Sequence, residues 1–581
     1  MGRACVIGAG SSGIASCQVL HARGIPFDCF EAGSEVGGNW RYDNDNGMSS
    51  AYLSLHAKSS RRCMQYAAFP MPDDYPDYLS HELIASYLDD FVDQSGFRGR
   101  IQFRTEVTRA GPAAGGGWDV TVRRRDTGAT RTERYDAVLV ANGHHWDPQY
   151  PEPAFPGAAT FTGEQIHSHH YRTPEPFAGK RVLALGIGNS ACDIAAECSQ
   201  VAARTLLAMR RGTHIVPKYL LGMPTDRLTL MRLGTRAPLR LQSFAVAMLI
   251  RIAQGSVTKH GLPRPDRPLL YAPPTVSDSL LGQLDHGDIV VKPGIDRFDG
   301  GRVHFTDGSA EPVDVVIYCT GYKISFPFLD EAPVGAGGNH IPLFRRVVPP
   351  GRPGLYFIGL VQPIGAVMPI AEIQSEWVAD LLQGRAALPP QREMNREIAR
   401  YRAVTTKRYG RSAGHAIQVD FLAYLREIRR ERHMGARRNA VSRVTAAGPP
   451  ATGTPLPSRT SRVAPEVAHQ PGRDGIVRGH LGEQDGDRAG GWRDVGCGSG
   501  TADPAVASRD VPWIDGLHVD CAAEAPALAL QEQLADGALG CRQMVDGHPP
   551  HRLRRQEPVA VDGSLVEDHA SEAAPVGCGP G

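Results

Sequence analysis

The chain has 581 residues, 41% of them apolar and 22% charged, which exceeds what one hydrophobic core needs and predicts a globular protein of two or more domains. Lys plus Arg (63) nearly cancels Asp plus Glu (62), so no global field draws nucleic acid or an anionic membrane. Eleven Cys without a C-x-x-C pair argue against a disulfide scaffold, a thioredoxin-type site or a zinc ribbon, and the expected setting is reduced and cytoplasmic.

Met1-Gly2 opens like a myristoylation signal, but Val6 stands where Ser or Thr is wanted, and Cys5-Val6-Ile7 runs straight into glycines rather than a leader's apolar core. The first predicted unit is a strand over Ala4–Ile7, the turn Gly8-Ala9-Gly10-Ser11-Ser12-Gly13, a helix over 14–20 and a strand ending at Glu31. In such a turn Gly8 permits the tight bend, Gly10 lets the backbone approach a pyrophosphate, and Gly13 lets the helix lie close to the sheet. The helix start at Ser11 and Ser12 offers N–H groups and a positive dipole end to phosphates. Glu31, 18 residues after Gly13, stands where a carboxylate accepts the ribose hydroxyls of an adenosine.

A polar, aromatic stretch (52–87) and hairpin-like strands follow, then Asp136 to Gly143, a strand running into a glycine turn. The order strand, glycine turn, helix, strand returns over 180–211 with Gly186-Ile187-Gly188-Asn189-Ser190-Ala191. Ala191 in the third place still allows close helix packing. Glu31 lies 23 residues beyond Gly8, and the same offset from Gly186 reaches Met209, followed by Arg210 and Arg211. The acid that would repel a 2′-phosphate is missing and two guanidiniums stand ready to grip one, which predicts NADPH rather than NADH.

Beyond the second copy, residues 228–252 are basic with apolar residues at helical spacing, and predict a surface helix packed on its own domain or on a second copy of the chain, a homo-oligomer. Their most apolar window, 244–250, is far short of the roughly 18 residues of a spanning helix, so no transmembrane segment is expected. Asp314 to Gly321 is another strand with a glycine turn. From 439 onward the chain has no Phe, Tyr or Lys. Such a tail buries little apolar area, so disorder is expected. Its missing residues are also those of AT-rich codons, as when GC-rich DNA is read out of frame.

Two dinucleotide sites on one chain imply a flavoprotein, with FAD in the first, NADPH in the second, and hydride passing between them. The expected architecture is α/β, with two Rossmann-like dinucleotide-binding domains. The FAD domain takes 1–160 and returns over 320–438; the NADP domain takes 161–319 with the basic insertion 225–272; the tail is 439–581.

Several ordered motifs resemble those of flavin-containing monooxygenases. Phe161 to Tyr171 matches the family's F-x-G-x-x-x-H-x-x-x-[FY] fingerprint, just ahead of the second glycine turn. Gly37-Gly38-Asn39-Trp40 resembles its G-G-x-W, Arg210-Arg211-Gly212 its R-R-G, and Cys319-Thr320-Gly321-Tyr322 its A-T-G-Y. Leu355 to Gly359 and Glu372-Ile373-Gln374 match its C-terminal landmarks. The resemblance implies that Gly38, Asn39 and Trp40 lie over the flavin and that Thr320 and Gly321 belong to the cofactor sites. It implies further that a flavin C4a-hydroperoxide, shielded by NADP⁺, gives an oxygen of O2 to a small-molecule amine or sulfide. One departure stands out: Ala57-Lys58-Ser59-Ser60-Arg61 occupies the place of the family's N-[ST]-S-K run, so Lys58 takes the catalytic Asn position beside Ser59.

Other readings remain open. The related Baeyer–Villiger enzymes, which oxygenate ketones, end the fingerprint in Trp where this chain has Tyr171. A disulfide reductase would need the Cys pair that is missing. A flavin-binding NADPH oxidase or sensor without productive turnover draws on Lys58 and the unusual tail. The histidines His167, His169 and His170 have no carboxylate or Cys near them in sequence, so no metal is expected there.

Overall fold

The computed structural model describes residues 2–230, 239–330, 341–409 and 417–446. Strand β1 (Ala4–Ile7) is apolar throughout and buried at every position, as a parallel strand covered on both faces must be. It leads into helix α1 (Ser11–Ala22) and strand β2 (Phe27–Phe30). With β3 (Ile101–Gln102) and β4 (Ala137–Val140) these build a parallel sheet. The chain then enters a second sheet through β5 (Glu164–His167) and β6 (Arg181–Leu185), followed by helix α2 (Asn189–Cys198) and strand β7 (Arg204–Ala208).

Helix α3 (Leu239–Gln254) lies in the basic stretch after β7, and β8 (Ile289–Lys292) and β9 (Val315–Tyr318) complete the second sheet. Strand β10 (Leu355–Phe357) returns to the first, and helices α4 (Met368–Leu382), α5 (Gln391–Tyr409) and α6 (Phe421–Ala446) close the described chain. The strand orders are β10-β4-β1-β2-β3 and β8-β7-β6-β9-β5, all parallel, so each is an open parallel sheet of the kind that binds ligands beyond the carboxyl ends of its central strands. The segments 136–143 and 314–321 supply β4 and β9, which neighbour β1 and β6 and lead the chain out of each sheet.

One face of the first sheet carries α1 and α4; the other carries the antiparallel strands 105–112, 118–124 and 130–135 through Trp118, Val120 and Val122. Helix α3 packs on its own domain through Ile250, against Val216, Leu220 and Leu269, which decides one of the two placements expected of it. Its outer face leaves Leu241, Phe244, Met248 and Ile252 exposed.

The change of material expected after residue 438 falls inside α6, which continues to Ala446. Arg438 Nε donates to the Ala387 carbonyl (2.9 Å) and Asn439 Nδ2 to the Gly384 carbonyl (2.7 Å), so the first residues assigned to the tail are part of a docked helix. Alternating apolar positions end near there, and helix continuity beyond them is carried by polar contacts that composition does not show. The tail after 446 lies outside the described residues.

Candidate dinucleotide and flavin site

The first glycine turn has the backbone its residues dictate. Gly8 sits at φ +97°, and a Cβ on Gly13 would lie 1.8 Å from the Gly8 carbonyl oxygen, so neither position accepts a side chain. Gly10 differs: a Cβ there would meet only Gly38 Cα at 3.6 Å, an ordinary contact. Its bareness therefore serves something other than the protein's own packing. Helix α1 starts at Gly10 with no side-chain cap, so its first N–H groups stay free for an anion. This cradle fits the pyrophosphate of a dinucleotide.

Glu31 is buried at the end of β2. Its Oε2 accepts from the Ala9 N–H (2.7 Å) and its Oε1 from the Gly33 N–H (2.8 Å) and Asn46 Nδ2 (3.1 Å). The carboxylate is thereby held in place, and Oε2 keeps a lone pair for a ribose hydroxyl.

A cavity of about 500 Å³ opens from this turn. It gathers Gly8, Gly10, Ser11, Ser12, Glu31, Gly38, Asn39, Trp40, Lys58 and Ser59 in one wall. Gly13 stands behind it, against the Gly8 carbonyl. Asn39 holds the far rim, its Oδ1 accepting from the Ser50 N–H (2.8 Å). Lys58 reaches the cavity from the loop after Tyr52, and its ammonium is bound by both oxygens of Asp193 on α2, at 2.9 and 2.7 Å. Tyr52 donates to the same carboxylate (2.5 Å), and one turn on, Glu197 accepts from Tyr171 (2.7 Å) and from Ser54. Burial pushes the Glu197 carboxyl above its usual range.

Gly186, Gly188, Asn189, Ser190, Ala191, Arg210, Arg211, Thr320 and Gly321 do not line that cavity and form a separate group at the second sheet. Gly186 takes φ +143°, with a Cβ position 2.7 Å from the Cys319 carbonyl oxygen, whereas nothing stands within 4 Å of a Cβ on Gly188. Helix α2 also begins without a side-chain cap. Asn189 Oδ1 is committed to the Val276 N–H (2.9 Å), Ala191 is fully buried, and Ser190 stands at the helix start between them. The Thr320 hydroxyl donates to the Gln149 carbonyl and the Gly321 carbonyl accepts from the Gln149 N–H (3.0 Å), so the protein itself occupies these groups. Arg210 and Arg211 are exposed at the end of the β7 strand.

Residues outside the expected set complete the cavity: Asn142, His144, Trp146, Phe328 and Met368. The glycine turn after β4 signalled Asn142 and His144; Phe328 and Met368 come from distant segments. Burial, then His145, holds the His144 imidazole well below its usual range, and its Nε2 has no hydrogen-bond partner among the described residues. His167 is buried, its titration pushed down to about 4 chiefly by that burial. Among the described residues no cluster of three or more His, Cys, Asp or Glu is placed to hold a metal ion, and no helix is long and apolar enough to cross a membrane.

The family described as flavin-binding monooxygenase-like matches residues 1–446. Flavin-containing monooxygenase 5 of Cavia porcellus is 35% identical over 441 residues, covering 73% of this chain and 82% of that protein. Flavin-containing monooxygenase 3 of Homo sapiens is 34% identical over 436 residues, covering 73% and 81%. Among solved structures, an S-allyl-L-cysteine S-oxygenase from Allium sativum aligns with TM-score 0.56 at 25% identity, over 77% of this chain and 94% of that one. A cyclohexanone monooxygenase with bound epsilon-caprolactone aligns with TM-score 0.55 at 18% identity, over 76% and 98%, a likeness of fold.

Proposed function

Since the chain belongs to the flavin-binding monooxygenase-like family, we propose that it is an FAD- and NADPH-dependent monooxygenase that oxygenates a soft nucleophile, an amine nitrogen or a sulfide sulfur. One atom of O2 goes to the substrate and the other to water, with the two electrons drawn from NADPH. The observation that carries this reading is the single cavity joining the uncapped start of α1, Glu31 and Lys58.

The flavin, once reduced, supplies the activation of dioxygen. The chain supplies the rest. The N–H groups at the start of α1 hold the pyrophosphate, and Glu31, fixed by Ala9 and Gly33, takes the ribose. The start of α2 with Arg210 and Arg211 holds the nicotinamide nucleotide. Trp40, Phe328 and Met368 exclude water from the cavity. Lys58 has three N–H donors; Asp193 takes two, and the third serves the cavity wall, in place of the amide donor that the family resemblance implies at this position.

The soft-nucleophile class draws support from Tyr171 at the end of the fingerprint and from the S-oxygenase likeness. The test is a panel of amines, sulfides and ketones incubated with NADPH and the purified protein. N- or S-oxides are the expected products; lactones or esters from the ketones alone would install the Baeyer–Villiger reading. A second reading rests on the same ion pair: with Lys58 held by Asp193, NADPH consumption ends in hydrogen peroxide. Peroxide equal to NADPH consumed, with every substrate, would establish it.

A further inference from the structure

The inserted segment meets the nucleotide end of the second sheet beside Arg211. Gly212, next after Arg211, bridges in parallel to Pro265. A Cβ on Gly212 would come within 2.4 Å of the Arg264 carbonyl oxygen, so only glycine lets the two backbones lie this close. Arg264 precedes Pro265 as Arg211 precedes Gly212, so the two arginines flank the same backbone contact. Both are exposed, as is Arg210, whose Cγ would be 3.1 Å from a Cβ on Gly294.

Among the described residues none of the three guanidiniums has an ion-pair partner, and Asp266, the nearest acid in sequence, pairs with none of them. Lys292, the cation on the neighbouring strand end, is already bound to Glu311 at 2.7 Å. Three guanidiniums without an ion pair thus gather about the Gly212–Pro265 contact, and the offset read from the sequence assigns a 2′-phosphate to Arg210 and Arg211.

We propose that Arg264, carried by the inserted segment, is a third cation for the 2′-phosphate of NADPH and a determinant of its preference over NADH. The assignment rests on the reading of Arg210 and Arg211 as the nucleotide's phosphate contacts. The insertion then has a role in cofactor choice that the two-arginine motif alone does not contain.

Calorimetric titration of the full-length holoenzyme with 2′,5′-ADP and with 5′-AMP tests it without turnover. Arg264→Ala weakens 2′,5′-ADP about tenfold or more, the loss of one charge-assisted contact, and leaves 5′-AMP within about twofold. Arg264→Lys recovers part of the loss, since an ammonium supplies charge without the fork. Unchanged affinity for 2′,5′-ADP in Arg264→Ala, with a loss in Arg211→Ala, overturns the role of Arg264 alone. Equal weakening of both nucleotides also overturns it, because the residue then shapes the fold rather than the phosphate site. If Arg210→Ala and Arg211→Ala both leave the two affinities unchanged, the underlying nucleotide reading falls instead.

Discussion

Two glycines of one turn separate packing from the proposed binding. Gly10→Val should give a folded protein with native far-ultraviolet circular dichroism and no flavin colour, because the first added carbon makes only ordinary contact with Gly38 while the side chain stands in the pyrophosphate's proposed place. Gly13→Val should fail to fold, since its Cβ would collide with the Gly8 carbonyl, and no rotamer relieves a clash with backbone. A yellow Gly10→Val protein would mean that the flavin sits elsewhere. The tight bend at Gly8 and the close approach at Gly13 were legible from spacing alone, because a glycine turn is a local arrangement of a dozen residues. The partner of Lys58 was not, since Asp193 is 135 residues away and meets it only after both sheets have formed. The proposed donor role predicts that Lys58→Met raises hydrogen peroxide released per NADPH, with a loss of coupling of about tenfold or more, as for a removed preorganised donor. Peroxide release unchanged by Lys58→Met, or lowered by Lys58→Asn, would favour the oxidase reading.

The helices that close the chain are held by charge as much as by apolar burial. Arg345 and Arg346 follow one another at φ +51° and +58°, a left-handed conformation that side-chain-bearing residues rarely adopt. The strain is offset where they point. Arg346 is buried, lies 3.5 Å over the Tyr401 ring and reaches Glu427 (3.4 Å) and Glu397 (3.6 Å), while Arg345 Nη1 binds Glu397 (3.0 Å) and Glu427. Burial pushes the Glu397 carboxyl up, so this acid depends on its guanidiniums to stay charged. Arg346→Ala leaves them without one partner and should cost about 3–5 kcal/mol, as for other broken buried pairs. A clear fall in the thermal midpoint is expected, and a midpoint within a degree or two of the unmodified protein would contradict this account. Sequence periodicity found the strands and glycine turns, whose signals are short-range. It missed this network because an Arg-Arg pair and scattered Glu residues on α5 and α6 read as an ordinary solvated surface until the helices pack.

At the scale of the whole molecule, the expected architecture of two parallel sheets with the chain passing from one to the other and back was readable, because each crossing is marked by a strand and a glycine turn. The end of the folded body was not. Composition placed it at 438, yet helix α6 runs to Ala446, which is also where the family match ends. The difference sets a graded prediction with three chain lengths. A chain ending at 446 should keep its flavin and its NADPH oxidation rate. One ending at 438 loses the Asn439 contact to Gly384 and the last helical turns, and should retain flavin with a stability loss of about 1 kcal/mol, the usual worth of one hydrogen bond. One ending at 420 loses all of α6, including the buried Tyr424, Leu425 and Ile428 and the Tyr424 hydroxyl that accepts from Gln374 Nε2 at 2.7 Å. Gln374 in turn accepts the Gly359 N–H (2.8 Å) at the cavity wall, so this shortest chain should lose flavin together with its fold. Flavin content and soluble yield across the three lengths check the series. Loss of flavin already at 446 would show that residues beyond the helix contribute to the body.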